Sequence, residues 1–141
     1  MQLFTFTIKN YFIFIQNNSQ KQKKITAYLD KDFDLNRAGK TSERVALLRD
    51  AKKEFPNELI IIRALMHALL LEDRKGNSDE IIEYGEKILD ESTDNSLRGS
   101  AIQSLCYAYY RKGDRENAQK YANMANGYHI SSNQLMARVL E

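Results

Sequence analysis

The chain has 141 residues, 43% of them apolar and 28% charged, with one proline, one cysteine and a formal net charge of +2. That is about one domain in length with the balance of a folded chain in water, which excludes a disordered linker, a disulfide framework and a thiolate metal cluster, and fits a reducing cytoplasm. The positive sign comes from residues 1–24, where Lys9, Lys21, Lys23 and Lys24 meet no acid. Residues 25–141 keep 17 of the 21 basic side chains against all 19 acidic ones, so they offer no basic surface for nucleic acid.

Residues 1–15, "MQLFTFTIKNYFIFI", are aromatic and β-branched and partly alternate, and the polar run "QNNSQKQKK" follows. This pattern predicts a strand or an extended arm over 1–24. It is too short for a membrane span, which needs about 20 apolar residues, and it lacks the charged start and small-residue cleavage site of a secretory signal. From Ile25 the period becomes helical, with a weak first helix at 25–37. "SERVALLRDAKKEF" places Val45, Leu48 and Ala51 on one face, with Ser42 to cap the start and Pro56 to close it. "ELIIIRALMHALLLED" carries two apolar stripes, Ile61/Leu65/Ala68/Leu69 and Ile62/Met66/Leu70, so this helix must be covered on two sides. After the break "RKGNS", Asp79 can cap "EIIEYGEKILDE", where Ile81, Ile82, Gly85, Ile88 and Leu89 repeat. "DNSLRGSAIQSLCYAYYRKG" and "DRENAQKYANMANG" form the next pair, and "SSNQLMARVLE" begins a last helix that runs to the end of the chain. The expectation is an all-α domain at 25–141 with about seven helices.

Hairpins of similar size call for a search for repeats. In "SLCYAYYRKGDRENAQKYANMA", Leu105, Cys106, Tyr109, Gly113, Ala118 and Ala125 fall at the spacing of the tetratricopeptide repeat, which this stretch resembles. Cys106 and Ala118 are small where the two helices would touch, Tyr109 would fill the gap between adjacent hairpins, and Gly113 would take the left-handed conformation that ends the first helix, with Asp114 capping the second. Gly113-Asp114 is then a turn and not a catalytic loop. The frame recurs at 25–58 through Leu35, Gly39, Leu48, Ala51 and Pro56, weakened by Arg44 where a small residue is expected. It recurs again through Leu65, Met66, Leu69, Ile81, Gly85 and Ile88, with about three extra residues in "EDRKGNSD". The resemblance implies a right-handed stack of helical hairpins with about three repeats.

Over about residues 30–141 the runs "NRAGKTSERVALLRDAKKEFPNE", "SDEIIEYGEKILDESTDNSLRGSAIQSLCYAYYRKGDRENAQKYANMANG" and "NQLMARVLE" resemble a more specific family. It is the C-terminal, tetratricopeptide-like domain of helix-turn-helix regulators of the phage-repressor type found in Firmicutes. Residues 1–24 contain no helix-turn-helix, so the resemblance implies the sensing or assembly module of a cytoplasmic regulator, lacking the DNA-reading half. The groove positions it implies are Thr26, Leu29, Phe33, Asn36 and Arg37, then Ile60, Arg63, His67, Leu70 and Leu71, then Ser100, Gln103, Tyr107, Tyr110 and Arg111. Asn36, Arg37, Arg63, His67, Gln103, Tyr107, Tyr110 and Arg111 are the candidate partner-binding residues.

Arginines beside tyrosines suit a peptide that carries an acidic or carboxylate group and an apolar side chain. Tyrosines packed between hairpins, with arginines merely solvated, would use the same residues without a ligand, and that alternative stays open. Leu29, Phe33 and Ala64 stand where chaperone-tail-binding repeats need lysine and asparagine, which disfavours that ligand. His67 reads as a packed or groove histidine, since His129 is its only counterpart and lies far along the chain. Cys106 reads as a small core residue, and no glycine-rich phosphate loop exists. The expected function is non-enzymatic binding of a peptide or protein, without cofactor or metal, without direct sequence-specific DNA binding and without a membrane span. A homodimer is left open, and the rival reading is a free-standing helical-repeat adaptor unrelated to transcription.

Overall fold

A computed structural model describes residues 2–72 and 76–140, apart from the side chains of 2–7 and 139, and its regular elements are all helical. They are α1 (Gln2–Arg37), α2 (Thr41–Glu54), α3 (Leu59–Glu72), α4 (Ser78–Glu91), α5 (Asn95–Arg111), α6 (Arg115–Ala125) and α7 (Ser132–Leu140), with a single 3-10 turn at Asn126–Tyr128. Each helix packs on its neighbours in sequence, and α1, α3, α5 and α7 also touch one another in that order. The odd-numbered helices therefore form a layer of their own.

The central layer follows from α3, seven of whose fourteen residues, Ile61, Ile62, Leu65, Met66, Ala68, Leu69 and Leu70, are buried. Both predicted stripes are covered. One core joins α3 to α2, α4 and α5 through Val45, Leu48, Ile81, Tyr84, Ile88, Ala101 and Ala108. A second gathers Ile102, Leu105, Cys106, Ala118, Tyr121, Ala122, Ala125 and Leu135 between α5, α6 and α7. Gly85 lets α4 approach α5, since a Cβ there would lie 2.6 Å from Leu105 Cγ. Removing side chains of this kind from water is the main stabilising term, about 1.5–3 kcal/mol for each large one.

The α5–α6 hairpin matches its expected mechanics. Gly113 has φ +85°, and Asp114 accepts a hydrogen bond from the Asn117 amide at 3.1 Å. Cys106 and Ala118 are fully buried, and burial pushes the Cys106 thiol up to about 11, which leaves it protonated. Tyr109 stacks on Tyr121 of α6 at 5.6 Å and donates to Glu86 of α4 at 3.1 Å, so it does bridge adjacent hairpins.

Three expectations are corrected. Residues 2–15 are neither strand nor extended arm; they continue α1 without a break to Arg37. A lone strand leaves its amides and carbonyls unpaired, whereas a helix bonds them within its own segment. Ser42 does not cap α2, which starts at Thr41 because Gly39, at φ +70°, has already turned the chain. Asp79 lies inside the first turn of α4 and pairs with Lys112 at 2.5 Å. Asn77 precedes that helix, and its side chain turns back to the Leu69 carbonyl of α3 at 3.2 Å. Residues 73–75 of the predicted longer loop lie outside the described residues.

Candidate functional site

An open groove of about 1150 Å³ runs along the odd-numbered helices. α1 contributes Asp32, α2 Arg44, α3 Arg63, Ala64, His67, Leu70 and Leu71, α5 Ser100, Gln103, Ser104, Tyr107, Tyr110 and Arg111, and α7 Arg138 and Leu140. The helical period explains the sharing: on α3 the positions 63, 67, 70 and 71 recur at three and four residues, as do 100, 103, 104, 107, 110 and 111 on α5.

Six of the eight candidate residues, Arg63, His67, Gln103, Tyr107, Tyr110 and Arg111, come together here. The other two do not line the groove. Asn36 stands behind it and accepts from Arg44 Nη1 at 2.9 Å, while Arg37 lies over the Phe33 ring at 5.8 Å. Ser100, Leu70 and Leu71 join the lining as the repeat register implies, but Thr26, Leu29, Phe33 and Ile60 do not.

Arg44 is the residue whose role sequence reasoning missed. It is not a misfit: its side chain is buried, and Nε and Nη2 donate to the two carboxylate oxygens of Asp32 at 2.7 and 3.3 Å. A fork-shaped guanidinium facing a carboxylate is the geometry in which a buried pair is best satisfied. The signal that could have found it is the turn at Gly39, because residues on either side of a hairpin turn meet across it. Arg138 and Leu140 were also missed, since nothing in a short terminal helix marks it as a groove wall.

Two further groove arginines also bond within the fold. Arg111 Nη1 donates to the Leu70 carbonyl in the last turn of α3 at 3.2 Å, and its guanidinium lies 5.5 Å from the centre of the Tyr107 ring. Arg63 Nη1 donates to Ser96 Oγ at 3.3 Å. Arg111 thus closes a helix terminus whose carbonyls lack intrahelical partners. His67 is exposed to the groove, yet loss of water to the surrounding walls, helped by the Arg44 charge, holds its pKa below the ordinary histidine value. It is neutral at pH 7 and gains charge only in acid. Chemically the groove offers four guanidinium groups against one carboxylate, two phenols, one imidazole and a leucine floor.

Among the described residues no helix is long and apolar enough to cross a membrane, and none group as three or more potential metal ligands. No family model, curated protein or solved structure matches the chain.

Proposed function

We propose that the chain is a non-enzymatic, peptide- or protein-binding module built as a right-handed stack of tetratricopeptide-like hairpins. In this reading it serves as the sensing or assembly part of a bacterial transcriptional regulator. The sequential packing of neighbouring helices supports the repeat reading, and the resemblance of residues 30–141 supports the regulator.

The observation that carries the binding claim is the composition of the groove, where Arg44 and Asp32 pair with each other and Arg63, Arg111 and Arg138 stand among tyrosines and leucines with no second acid in the lining. Such a surface attracts an anion and also rewards apolar burial, so it fits an extended peptide with an acidic side chain or free carboxylate beside a bulky apolar residue. Its volume exceeds the ordinary range for small-molecule pockets, about 300–1,000 Å³, and leaves room for several peptide residues. In this reading the chain does not bind DNA sequence-specifically by itself, because residues 25–141 are slightly acidic.

The test is fluorescence polarisation against short peptides that pair leucine or phenylalanine with a free carboxyl terminus, alongside the same peptides amidated. Preference for the free carboxylates, weakening with salt, supports the reading; equal binding to both sets, or a preference for lysine-rich peptides, overturns it.

A further inference from the structure

The amino-terminal half of α1 is the part of the molecule for which the groove gives no reason. Residues 8–24 are all exposed, including the large apolar side chains Ile8, Tyr11, Phe12, Ile13, Phe14 and Ile15, and the body begins only at Ile25, which is buried against Ala51 and Ile61. A projecting helix rich in aromatic and β-branched residues is poorly stable alone in water, since isolated helices are marginal even in favourable sequences. A covering surface would stabilise it.

Four of the exposed residues share one face. Ile8, Tyr11, Phe12 and Ile15 follow the spacing i, i+3, i+4, i+7, and at about 100° per residue they lie within roughly 50° of a common line. That line is turned about 115° from the one through Ile25, Tyr28 and Asp32 that faces the body, so the stripe does not point at α2 or α3. Ile13 lies on the far side.

We infer that this stripe is a homodimer interface, with the amino-terminal halves of two α1 helices pairing antiparallel across a two-fold axis between Tyr11 and Phe12. The register is self-complementary. In that arrangement Ile8 faces Ile15 of the second copy and Tyr11 faces its Phe12, so β-branched meets β-branched and ring meets ring at both ends of the contact. The exposed parts of these four side chains in both copies sum to somewhat less than the roughly 1,000 Å² of a stable specific interface, so the dimer is a weak, transient one. An anionic membrane surface is the rival cover. It is disfavoured because two of the adjacent lysines are already engaged, Lys21 with Glu58 at 2.5 Å and Lys24 with Glu54 at 2.9 Å, and because Lys9 is the only charge within residues 8–20.

The experiment is light scattering on the full chain as its concentration rises from about 1 to about 200 µM, a range that brackets a micromolar dissociation constant. The expected result is a shift from 16.4 kDa toward twice that mass, abolished by Phe12→Glu and unaffected by Ile13→Glu. Because residues 8–24 touch little of the body, Phe12→Glu should leave the thermal midpoint of the body in place, measured as a monomer. Mixing Ile8→Cys chains with Ile15→Cys chains should then give an oxidised heterodimer in preference to either homodimer, since only the antiparallel pairing brings those positions together. A chain that stays monomeric throughout, forms larger assemblies, cross-links chiefly Ile8→Cys to itself, or sediments with phosphatidylserine vesicles while remaining monomeric in solution overturns the inference.

Discussion

The α1–α2 and α5–α6 hairpins turn identically and are filled differently. At both turns a left-handed glycine, Gly39 or Gly113, follows the first helix, and the next amide closes back on it, Lys40 to the Leu35 carbonyl and Asp114 to the Tyr109 carbonyl, each at 2.9 Å. Seven residues before the glycine and five after it stand Cys106 and Ala118 in one hairpin but Asp32 and Arg44 in the other. The first pair is small, dry and fully buried; the second is a buried ion pair that also lines the groove. One backbone frame can therefore place either packing or charge at the same contact, and here charge stands at the end of the groove nearest α1.

The comparison breaks most readily at the ion pair. Asp32→Ala leaves the Arg44 guanidinium buried without its carboxylate and should cost about 3–5 kcal/mol in urea unfolding, whereas Asp32→Leu combined with Arg44→Met should cost little or even stabilise. A loss below about 1 kcal/mol for Asp32→Ala would mean that the pair is open to water and not a core contact.

At the turns the effect is smaller. Gly113→Val puts a β-branched residue at positive φ and should cost about 1–3 kcal/mol, while Asp114→Asn should be neutral to within a few tenths, because asparagine caps nearly as well. Gly39→Val should behave like Gly113→Val. Nothing lies within 4 Å of a Cβ built at either glycine, so backbone conformation alone sets the cost. A large difference between the two variants would show that the turns are not equivalent.

The smallest effect lies between hairpins. Arg49 of α2 donates to Glu80 of α4 at 2.7 and 3.1 Å, and that guanidinium, with the Tyr84 hydroxyl, holds the Glu80 carboxyl below its ordinary 4.5. Its stabilising contribution is complete above that value and is lost as pH falls through the lower folded value. With Arg49 largely exposed, the contribution should stay below about 1 kcal/mol, and Glu80→Gln should flatten this part of the acid limb of a stability profile. An acid limb unchanged by the substitution would remove the pair from the account.

The sequence made the hairpin mechanics readable because each rests on a local requirement: a glycine where φ must be positive, small residues where helices touch, two apolar stripes where a helix is covered twice. The groove was partly readable for the same reason, since Arg63, His67, Tyr107 and Arg111 come together through helical period. Arg44 was not, because a buried arginine breaks the rule that contact positions are small, and only its partner Asp32 explains it. The helical state of residues 2–15 was hidden by their β-branched and aromatic composition, which favours strand until the lack of any strand to pair with is considered. The helical period marks Arg111 as a groove residue; its bond to the Leu70 carbonyl gives it a second duty, so its truncation should lower stability as well as binding.

Arg63 is the cleaner probe of the central claim, because it donates to the exposed Ser96 hydroxyl rather than to a helix carbonyl. The decisive measurement is the affinity of the full chain and of Arg63→Ala for one free-carboxylate, leucine-bearing peptide, taken with thermal melts of both proteins. Recognition in the groove predicts a loss of about 1–3 kcal/mol in binding with an unchanged melt. Unchanged affinity in the folded Arg63→Ala chain would contradict it and move recognition away from this surface.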